Sequence, residues 1–311
     1  MSEAIVNNEF TAFWNDVLAT KFERFRDILQ RGLSYHSAMP FQKLRLAAGS
    51  KVLDVGCGWG DTALELARIT GPTGSVLGLD CCDAFLQSGR EDARTAGLDN
   101  VRFVEADVET YRFDHDFDFC FSRFGMMFFA NPVAAMRNIR TALKPGGRLM
   151  FITWRSLADN PWFSLPKQVV LDFLPPPGEN AQTCGPGPFS MANPDVVTAQ
   201  LKAAGFTDFG FERLDGPVKL GRSAEEAMQF QLALGPAGEI FREAGDLALR
   251  TGWRDRHGVE LVDDHGDQSR SVTIDAPTCP RCRRRHLRPL ESGHHLGVAV
   301  ATAAALDDLS T

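Results

Sequence analysis

The spacing of hydrophobic positions predicts that the first 50 residues are mostly helical. In residues 10–29, FTAFWNDVLATKFERFRDIL, large apolar side chains recur every three to four positions, at Phe10, Phe13, Trp14, Leu18, Phe22, Phe25 and Leu29. This spacing is typical of an amphipathic helix that buries one face. Two interpretations of residues 1–50 stay open, a lid over a ligand that uses Phe13, Trp14 and Tyr35, or ordinary helix packing.

Short apolar runs alternate with amphipathic segments between residues 51 and 155. The runs that predict strands are KVLDVG, SVLGLD, VRFVEAD, FDFCFSRF and GRLMFITW, and the segments that predict helices are DTALELARIT, AFLQSGREDARTAG and PVAAMRNIRTAL. Strands this apolar are typical of a parallel sheet covered on both faces. The alternation therefore predicts an α/β fold with a doubly wound, mostly parallel sheet and right-handed crossovers.

The alternation stops after Trp154, and residues 156–250 are expected to hold a cap insertion and the C-terminal part of the same domain. A short helix precedes a proline run, and Asn193 and Pro194 have the residue types of a helix N-terminus, with the end near Gly205. FTDFGFERL is then expected to be a strand and SAEEAMQFQLALG a helix.

Residues 251–311 have a different composition, rich in Arg, His and Asp, and lose the apolar periodicity until GVAVATAAAL. We expect an atypical tail that is disordered or altered by a shifted reading frame, and a sheet that lacks its final strand. Cys279, Cys282 and His286 have some zinc-like spacing, but one CxxC with loosely placed histidines is weak, and no metal is predicted.

Composition and charge favour a soluble protein with a small-molecule substrate. The chain is 44% hydrophobic and 23% charged, with a formal net charge of −7, so no global positive field attracts nucleic acid. Its seven scattered cysteines suggest a reducing cytoplasm rather than a disulfide framework. No leader is evident, and no apolar run approaches the ~20 residues of a membrane helix.

The segment VLDVGCGWGDTALELA, residues 52–67, indicates a glycine-rich turn between a strand and a helix. Glycines at 56, 58 and 60 allow positive φ and a close approach of the backbone to a ligand. The spacing lacks the third glycine of the usual dinucleotide fingerprint, and no P-loop lysine follows. The turn therefore predicts a nucleotide-like ligand that need not carry phosphate.

Three acidic residues end successive predicted strands and narrow the ligand further. Asp54 lies beside the glycine turn, where a carboxylate repels a pyrophosphate but suits an ammonium group. Asp80 suits ribose hydroxyls, and Asp107 suits an exocyclic adenine amine, with Val108 supplying backbone contacts. Capping or surface exposure is the alternative for Asp107. S-adenosylmethionine has an amino-acid end and no phosphate, and it fits this set.

Together, VLDVGCGWG, the acid of LGLD, the VEAD strand end and the segment FSRFGMMFFANPVAAMRNIRTALKPGGRLMFITWR resemble the class I S-adenosylmethionine-dependent methyltransferases over residues 50–155. The resemblance implies a Rossmann-like, seven-stranded type of sheet and S-adenosyl-L-methionine as cofactor. The cofactor-binding positions it implies are Asp54, Gly56, Cys57, Gly58, Asp80, Cys81, Asp107, Val108 and Ser122. A bacterial subgroup that methylates small molecules is similar over a longer stretch.

The sequence says less about the residues that bind the methyl acceptor than about those that bind the cofactor. Candidate substrate-binding residues are Arg123, Met127, Phe128 and Trp154, and core packing is the alternative for the apolar ones. His36 and His115 are candidate bases, although a structural or surface role is favoured for each, and no catalytic residue is assigned.

A homodimer is compatible with the sequence. The rival functions are an NAD(P)-dependent oxidoreductase and a methyltransferase-like binding module without activity.

Overall fold

The computed structural model describes residues 9–176, 185–244 and 295–305. These residues form two compact units. The first unit contains residues 9–160, 185–217 and 295–305, and the second contains residues 161–176 and 218–244.

The first unit is built around a seven-stranded sheet. Its strands are β1 (Lys51–Val55), β2 (Ser75–Asp80), β3 (Val101–Glu105), β4 (Phe117–Arg123), β5 (Leu143–Trp154), β6 (Phe206–Pro217) and β7 (His295–Ala305). They lie in the order β3-β2-β1-β4-β5-β7-β6. The first five are mutually parallel, and β7 runs antiparallel to both β5 and β6. The predicted α/β class and mostly parallel sheet are confirmed.

Helices connect the parallel strands. They are α4 (Asp61–Thr70), α5 (Asp83–Thr95) and α6 (Pro132–Ala142), and α8 (Pro194–Ala204) precedes β6; the N-terminal helices are α1 (Glu9–Phe13), α2 (Ala19–Arg24) and α3 (Arg26–Lys43). A π-helical turn, Trp14–Leu18, joins α1 to α2. The N-terminal segment is therefore mostly helical, as its apolar spacing predicts.

Burial explains why these segments form strands and helices. Val52, Leu53 and Val55 of β1 are completely buried, as expected for the central strand of a sheet covered on both faces. Ala63 and Leu66 of α4 are also fully buried. The β1 strand and the α4 helix therefore both contribute to the apolar core of the first unit.

The capping residues of α8 behave as the sequence predicts. The Asn193 side chain accepts a hydrogen bond from the Asp195 N–H, Pro194 is the first helical residue, and Gly205 ends the helix in the left-handed conformation with a φ of 87°.

The expected absence of a final strand is wrong, because β7 occupies the sheet between β5 and β6. Val300 is paired with Ile152 of β5 and with Glu212 of β6. A strand flanked on both sides can satisfy its backbone groups on two ladders, so it needs no alternation of polar and apolar residues. The expectation of an altered tail therefore fails for residues 295–305; residues 251–294 and 306–311 lie outside the described part of the chain.

Two further elements differ from the sequence prediction. β5 begins at Leu143 rather than Gly147, because Leu143 pairs with Phe117 before the register shifts between Phe117 and Phe119. The helix α10 (Pro236–Ala244) was not predicted; it follows α9 (Ala224–Leu234) directly.

The second unit consists of α7 (Pro161–Leu171) with α9 and α10. Its core is the apolar cluster of Val170, Leu174, Ala237 and Ile240. The Gln231 side chain donates a hydrogen bond of 2.9 Å to the Trp162 carbonyl, which ties α9 to α7. The two units do not match the four predicted segments one to one, and that division stays a prediction.

Within the described ranges, no helix has the length and apolar character needed to cross a membrane.

Candidate functional site

The glycine turn between β1 and α4 has the backbone conformation that its sequence predicts. Gly56, Gly58 and Gly60 have φ values of 64°, 54° and 78°. A Cβ on Gly56 would lie 2.9 Å from the Gly125 Cα, so a side chain there is excluded by packing. A Cβ on Gly58 would meet no atom within 4 Å. The backbone of Gly58 therefore borders open space that a ligand can fill.

Asp54 is the buried acid of this turn. Its side chain is 0% exposed, and its Oδ2 accepts a hydrogen bond of 2.7 Å from the Thr62 hydroxyl. The other oxygen, Oδ1, is buried and has no hydrogen-bond partner among the described residues. Burial raises the pKa of Asp54 to about 7, against the Thr62 bond, which lowers it. A buried carboxylate oxygen without a partner is costly and fits a cationic ligand.

Asp80 ties the glycine turn to β2. Its Oδ2 accepts a hydrogen bond of 2.8 Å from the Gly58 N–H, and its Oδ1 accepts one of 3.0 Å from the Cys82 N–H. Burial raises the pKa of Asp80, while these backbone bonds oppose the shift. A carboxylate has about four lone-pair sites, so Asp80 keeps acceptor capacity beyond these bonds.

The two predicted cysteines are the sequence neighbours of Gly58 and Asp80, whose hydrogen bond joins the glycine turn to β2. Cys57 is buried in the glycine turn, and its N–H donates to the Leu79 carbonyl at 3.0 Å. Burial raises the pKa of the Cys57 thiol well above its usual range, so the thiol stays protonated. The Cys81 carbonyl accepts a hydrogen bond of 3.0 Å from the Asn15 side chain.

Asp107 lies just beyond β3 at the same edge of the sheet. Its Oδ1 accepts a hydrogen bond of 2.9 Å from the Glu109 N–H, so part of its role is to cap the turn that follows. Val108 is buried, and its carbonyl accepts a bond of 2.7 Å from Asn138. The capping alternative for Asp107 is thus seen, and its carboxylate still has free acceptor positions.

Ser122 and Arg123 end β4 next to the glycine turn. Ser122 is completely buried, and its hydroxyl has no partner within the described residues. The Arg123 guanidinium donates from Nη2 to Asp61 at 2.6 Å and from Nη1 to the Ser37 hydroxyl at 3.0 Å. Arg123 therefore joins three elements, β4, α4 and α3.

Aromatic rings surround the ends of β4 and β5. Phe124 has a φ of 59°, unusual for a residue other than glycine, and its ring stacks on Trp154 with centroids 4.0 Å apart and planes inclined by 13°. Met127 is 1% exposed, and Phe128 contacts Trp14 edge to face at 5.2 Å. This apolar wall adjoins the polar residues of the glycine turn.

His36 belongs to the same wall. It is completely buried, its ring lies 6.1 Å from Phe124 and 6.4 Å from Trp154, and neither ring nitrogen makes a well-formed hydrogen bond with a described residue. Burial, with the nearby Arg123 charge, lowers the pKa of His36 to about 4, so its ring is neutral near pH 7. His115 instead is exposed and contacts the Thr141 carbonyl.

The N-terminal segment packs directly on the strand-end residues. Ala19 forms a cluster with Trp59, Cys82 and Phe85, against which Trp14, Phe22 and Leu29 pack. The Trp59 Nε1–H donates a hydrogen bond of 2.6 Å to Glu23. The contacts of Glu23 with Trp59 and of Asn15 with Cys81 reach the glycine turn and the loop after β2. The lid role of the segment stays a prediction.

Sequence reasoning missed the polar contacts that cross between elements. Thr62 and Asp61 hold Asp54 and Arg123, and Asn15 reaches the loop after β2. Thr62 follows Asp54 by eight residues, and only the fold shows that the turn brings them together. Within the described ranges, no group of three or more His, Cys, Asp or Glu side chains is arranged for a metal. Cys279, Cys282 and His286 lie outside those ranges.

Comparison with known proteins identifies the domain to which this site belongs. Residues 46–174 match the family described as "Methyltransferase domain". The chain is 34% identical over 138 residues to the ubiquinone/menaquinone biosynthesis C-methyltransferase UbiE of Pseudomonas putida strain F1, and 36% identical over 140 residues to that of Azotobacter vinelandii. Each match covers 43% of this chain and 54% of the relative. The chain thus spans about half the length of these relatives.

A solved structure supports the fold. The YcgJ protein from Bacillus subtilis aligns with 88% of this chain and 99% of its own, with a TM-score of 0.53 and 16% identity. At this identity the likeness concerns the fold alone. The matched domain, the glycine turn and the three strand-end acids lie in the same part of the chain. Residues 46–174 are similar to a methyltransferase domain.

Proposed function

We propose that the chain transfers a methyl group from S-adenosylmethionine to a small-molecule acceptor. The observation that carries the proposal is the buried, unpartnered Oδ1 of Asp54, in a turn where Gly58, four residues later, borders open space. This arrangement favours a ligand with an ammonium group over one with a pyrophosphate, and so argues against the NAD(P)-dependent alternative. Asp80 and Asp107, with Val108, are the residues proposed to hold the ribose and the adenine.

The cofactor supplies an activated methyl group on a sulfonium, so the protein need not form a covalent intermediate. The task left to the chain is to align the acceptor and exclude water, which favours an in-line attack. The wall of Phe124, Met127 and Trp154 is suited to this task, because it is apolar and adjoins the end of β4.

The acceptor is proposed only by class. UbiE of Pseudomonas putida is named as a C-methyltransferase of ubiquinone and menaquinone biosynthesis. An apolar acceptor with a nucleophilic carbon is therefore a candidate for this chain, alongside oxygen, nitrogen and sulfur nucleophiles. The net charge of −7 supports a small molecule rather than nucleic acid. A cytoplasmic location and a homodimer stay predictions.

The proposal is tested by incubating the protein with methyl-labelled S-adenosylmethionine and a metabolite extract. Mass spectrometry should show an extract compound that gains one labelled methyl group, together with S-adenosylhomocysteine. Binding of S-adenosylhomocysteine without any labelled product would support the inactive binding module instead. Binding of NAD in preference to S-adenosylhomocysteine would support the oxidoreductase.

A further inference from the structure

The strand β6 lies at the end of the sheet and has one free edge. Among the described strands it pairs only with β7. Its register with β7 shifts between Thr207 and Gly210, and Asp208 has a φ of 51°, so a bulge interrupts the strand there. From Gly210 to Pro217, named here the free-edge stretch, the pairing with β7 is regular over about 26 Å. The backbone groups on its other side face no described strand and can pair with a strand of another chain.

The middle of the free-edge stretch is exposed. Phe211 is a large apolar residue that is 37% exposed, and the Arg213 side chain is 68% exposed. Charged residues on an edge strand prevent pairing with arbitrary strands, because like charges opposite each other are destabilising. Which strand fits this edge therefore depends on the order of its charges.

The contacts of the free-edge stretch show which residues share a face. Glu212 forms an ion pair with Lys43 of α3, and Leu214 lines an apolar groove that Lys43 also lines. Arg213 donates from Nε to Asp215 at 2.6 Å. Because residues two apart share a face of a strand, Glu212 and Leu214 form one row, and Arg213 and Asp215 form the row on the opposite face.

The charges of the free-edge stretch limit how a second copy of the chain pairs with it. Two copies that pair antiparallel about a two-fold axis place one residue opposite its own copy. An axis at Glu212, Arg213 or Asp215 would set a charge against the same charge, which is destabilising. An axis at Phe211 or before it would draw the bulge into the pairing, and an axis at the end of the stretch would leave only a short overlap. The remaining position for the axis is Leu214.

An axis at Leu214 makes the free-edge stretch complementary to itself. Leu214 then lies opposite its own copy, and Phe211 lies opposite Pro217 of the second copy, so apolar residues meet on both faces. Arg213 lies opposite Asp215 of the second copy, and the symmetry repeats this ion pair. Opposite charges directly across a strand pair stabilise it, and no two like charges face each other in this register.

We propose that the free-edge stretch of β6 pairs antiparallel with the same stretch of a second copy of this chain, with the two-fold axis at Leu214. The two seven-stranded sheets then continue into one another through backbone hydrogen bonds. A second copy is the partner that the charges favour, since one short sequence supplies both halves of each ion pair. This pairing concerns assembly and does not depend on the proposed function.

Sedimentation velocity of the full chain tests whether β6 forms a dimer. The wild type should sediment as a dimer in the micromolar range. Leu214→Lys sets two like charges against each other at the axis, and should raise the dissociation constant of the dimer at least about tenfold. Val196→Lys is the matched control, because Val196 is 42% exposed and lies on α8 rather than on β6. That control should leave the dimer intact, and thermal unfolding verifies that each variant is folded.

Cysteine substitutions test the register without changing a charge. Leu214→Cys sets two thiols opposite each other at the axis, with Cα atoms about 5 Å apart, a separation that a disulfide spans. Phe211→Cys is the matched control, because its copy lies six residues further along the paired strand, about 20 Å away. Mild oxidation should give a disulfide-linked dimer for Leu214→Cys, and no more of it for Phe211→Cys than for the wild type.

Three results would overturn the pairing. They are a monomeric wild type, a dimer whose dissociation constant is unchanged in Leu214→Lys, and a cross-link in Phe211→Cys without one in Leu214→Cys. Binding of S-adenosylhomocysteine is measured on the same samples. Its absence would refute the proposed function and leave the pairing of β6 intact, so the two hypotheses fail separately.

Discussion

At the scale of single residues, burial and hydrogen bonding pull the pKa of Asp54 in opposite directions. Burial raises it to about 7, with Asp61 and Asp80 contributing in the same direction, while Thr62 and Arg123 lower it. An ammonium ligand requires the ionised carboxylate, so a proton and the cofactor compete for this side chain.

This competition predicts how cofactor binding depends on pH. The affinity for S-adenosylhomocysteine should be about tenfold weaker at pH 6 than at pH 8, because Asp54 is mostly protonated below its pKa. The pKa of His36, lowered to about 4, keeps that ring neutral over this range. Calorimetry at a series of pH values measures the effect. The control is 5′-methylthioadenosine, an adenosine thioether that lacks the amino-acid end. An equal pH dependence for this ligand would show that Asp54 does not contact the amino-acid end.

Thr62 gives a second prediction at this scale. Thr62→Val keeps the side-chain shape but removes the hydroxyl that donates to Asp54, so the pKa of Asp54 should rise and its carboxylate should lose its fixed orientation. We expect S-adenosylhomocysteine to bind about 3- to 10-fold more weakly at pH 7, and the loss to shrink at pH 9. Thr62→Ser should restore most of the affinity. A loss that is constant with pH would indicate a packing effect instead.

At the scale of elements, β7 differs most from the sequence-based expectation, because the final strand was expected to be absent and is present. Short apolar runs bounded by glycine and acids predicted β1 to β4 well. Most residues of β1, β2 and β4 are buried, whereas β3 lies at the edge of the sheet and buries only Phe103. The segment before β7 is rich in Arg and His, and its composition gives no sign of a strand inserted between β5 and β6. Long-range pairing of this kind is set by the partners, not by the segment itself.

The place of β7 can be tested with a single proline. Val300 is paired on both sides, and proline removes an N–H and clashes within a central strand. Val300→Pro should therefore destabilise the protein by about 3 kcal/mol or more, measured by chemical unfolding. Val300→Thr is the matched control and should unfold near the wild-type midpoint. An unfolding curve unchanged by the proline would mean that residues 295–305 do not form the strand.

At the scale of the whole first unit, the mostly parallel α/β sheet was predictable from the sequence, whereas contacts between distant elements were not. Asp54, Asp80 and Asp107 were found in the sequence because each ends an apolar run, and parallel strands bring such ends to one edge. Asn15, Glu23 and Ser37 gave no such signal. Their partners are 66, 36 and 86 residues away along the chain, and only the folded helices bring them to the site.

These contacts predict that the N-terminal segment controls cofactor exchange. Asn15 and Glu23 hold the segment against the Cys81 carbonyl and the Trp59 indole. The double variant Asn15→Ala with Glu23→Ala should release S-adenosylhomocysteine about 3- to 30-fold faster in stopped-flow fluorescence, from the loss of two hydrogen bonds. Asp27→Ala, which breaks an exposed pair with Arg31 in the same segment, is the control. If the double variant and the wild type release S-adenosylhomocysteine at the same rate, the N-terminal segment only packs against the domain and does not control cofactor exchange.

The claim on which the rest depends is that the edge formed by the ends of β1 to β4 holds S-adenosylmethionine. A crystal structure with S-adenosylhomocysteine bound tests it most directly. The ribose hydroxyls should lie on Asp80, the adenine beside Asp107 and Val108, and the amino-acid end beside Asp54 and the glycine turn. A ligand located away from the glycine turn, or one with its adenine against Asp54, would contradict it.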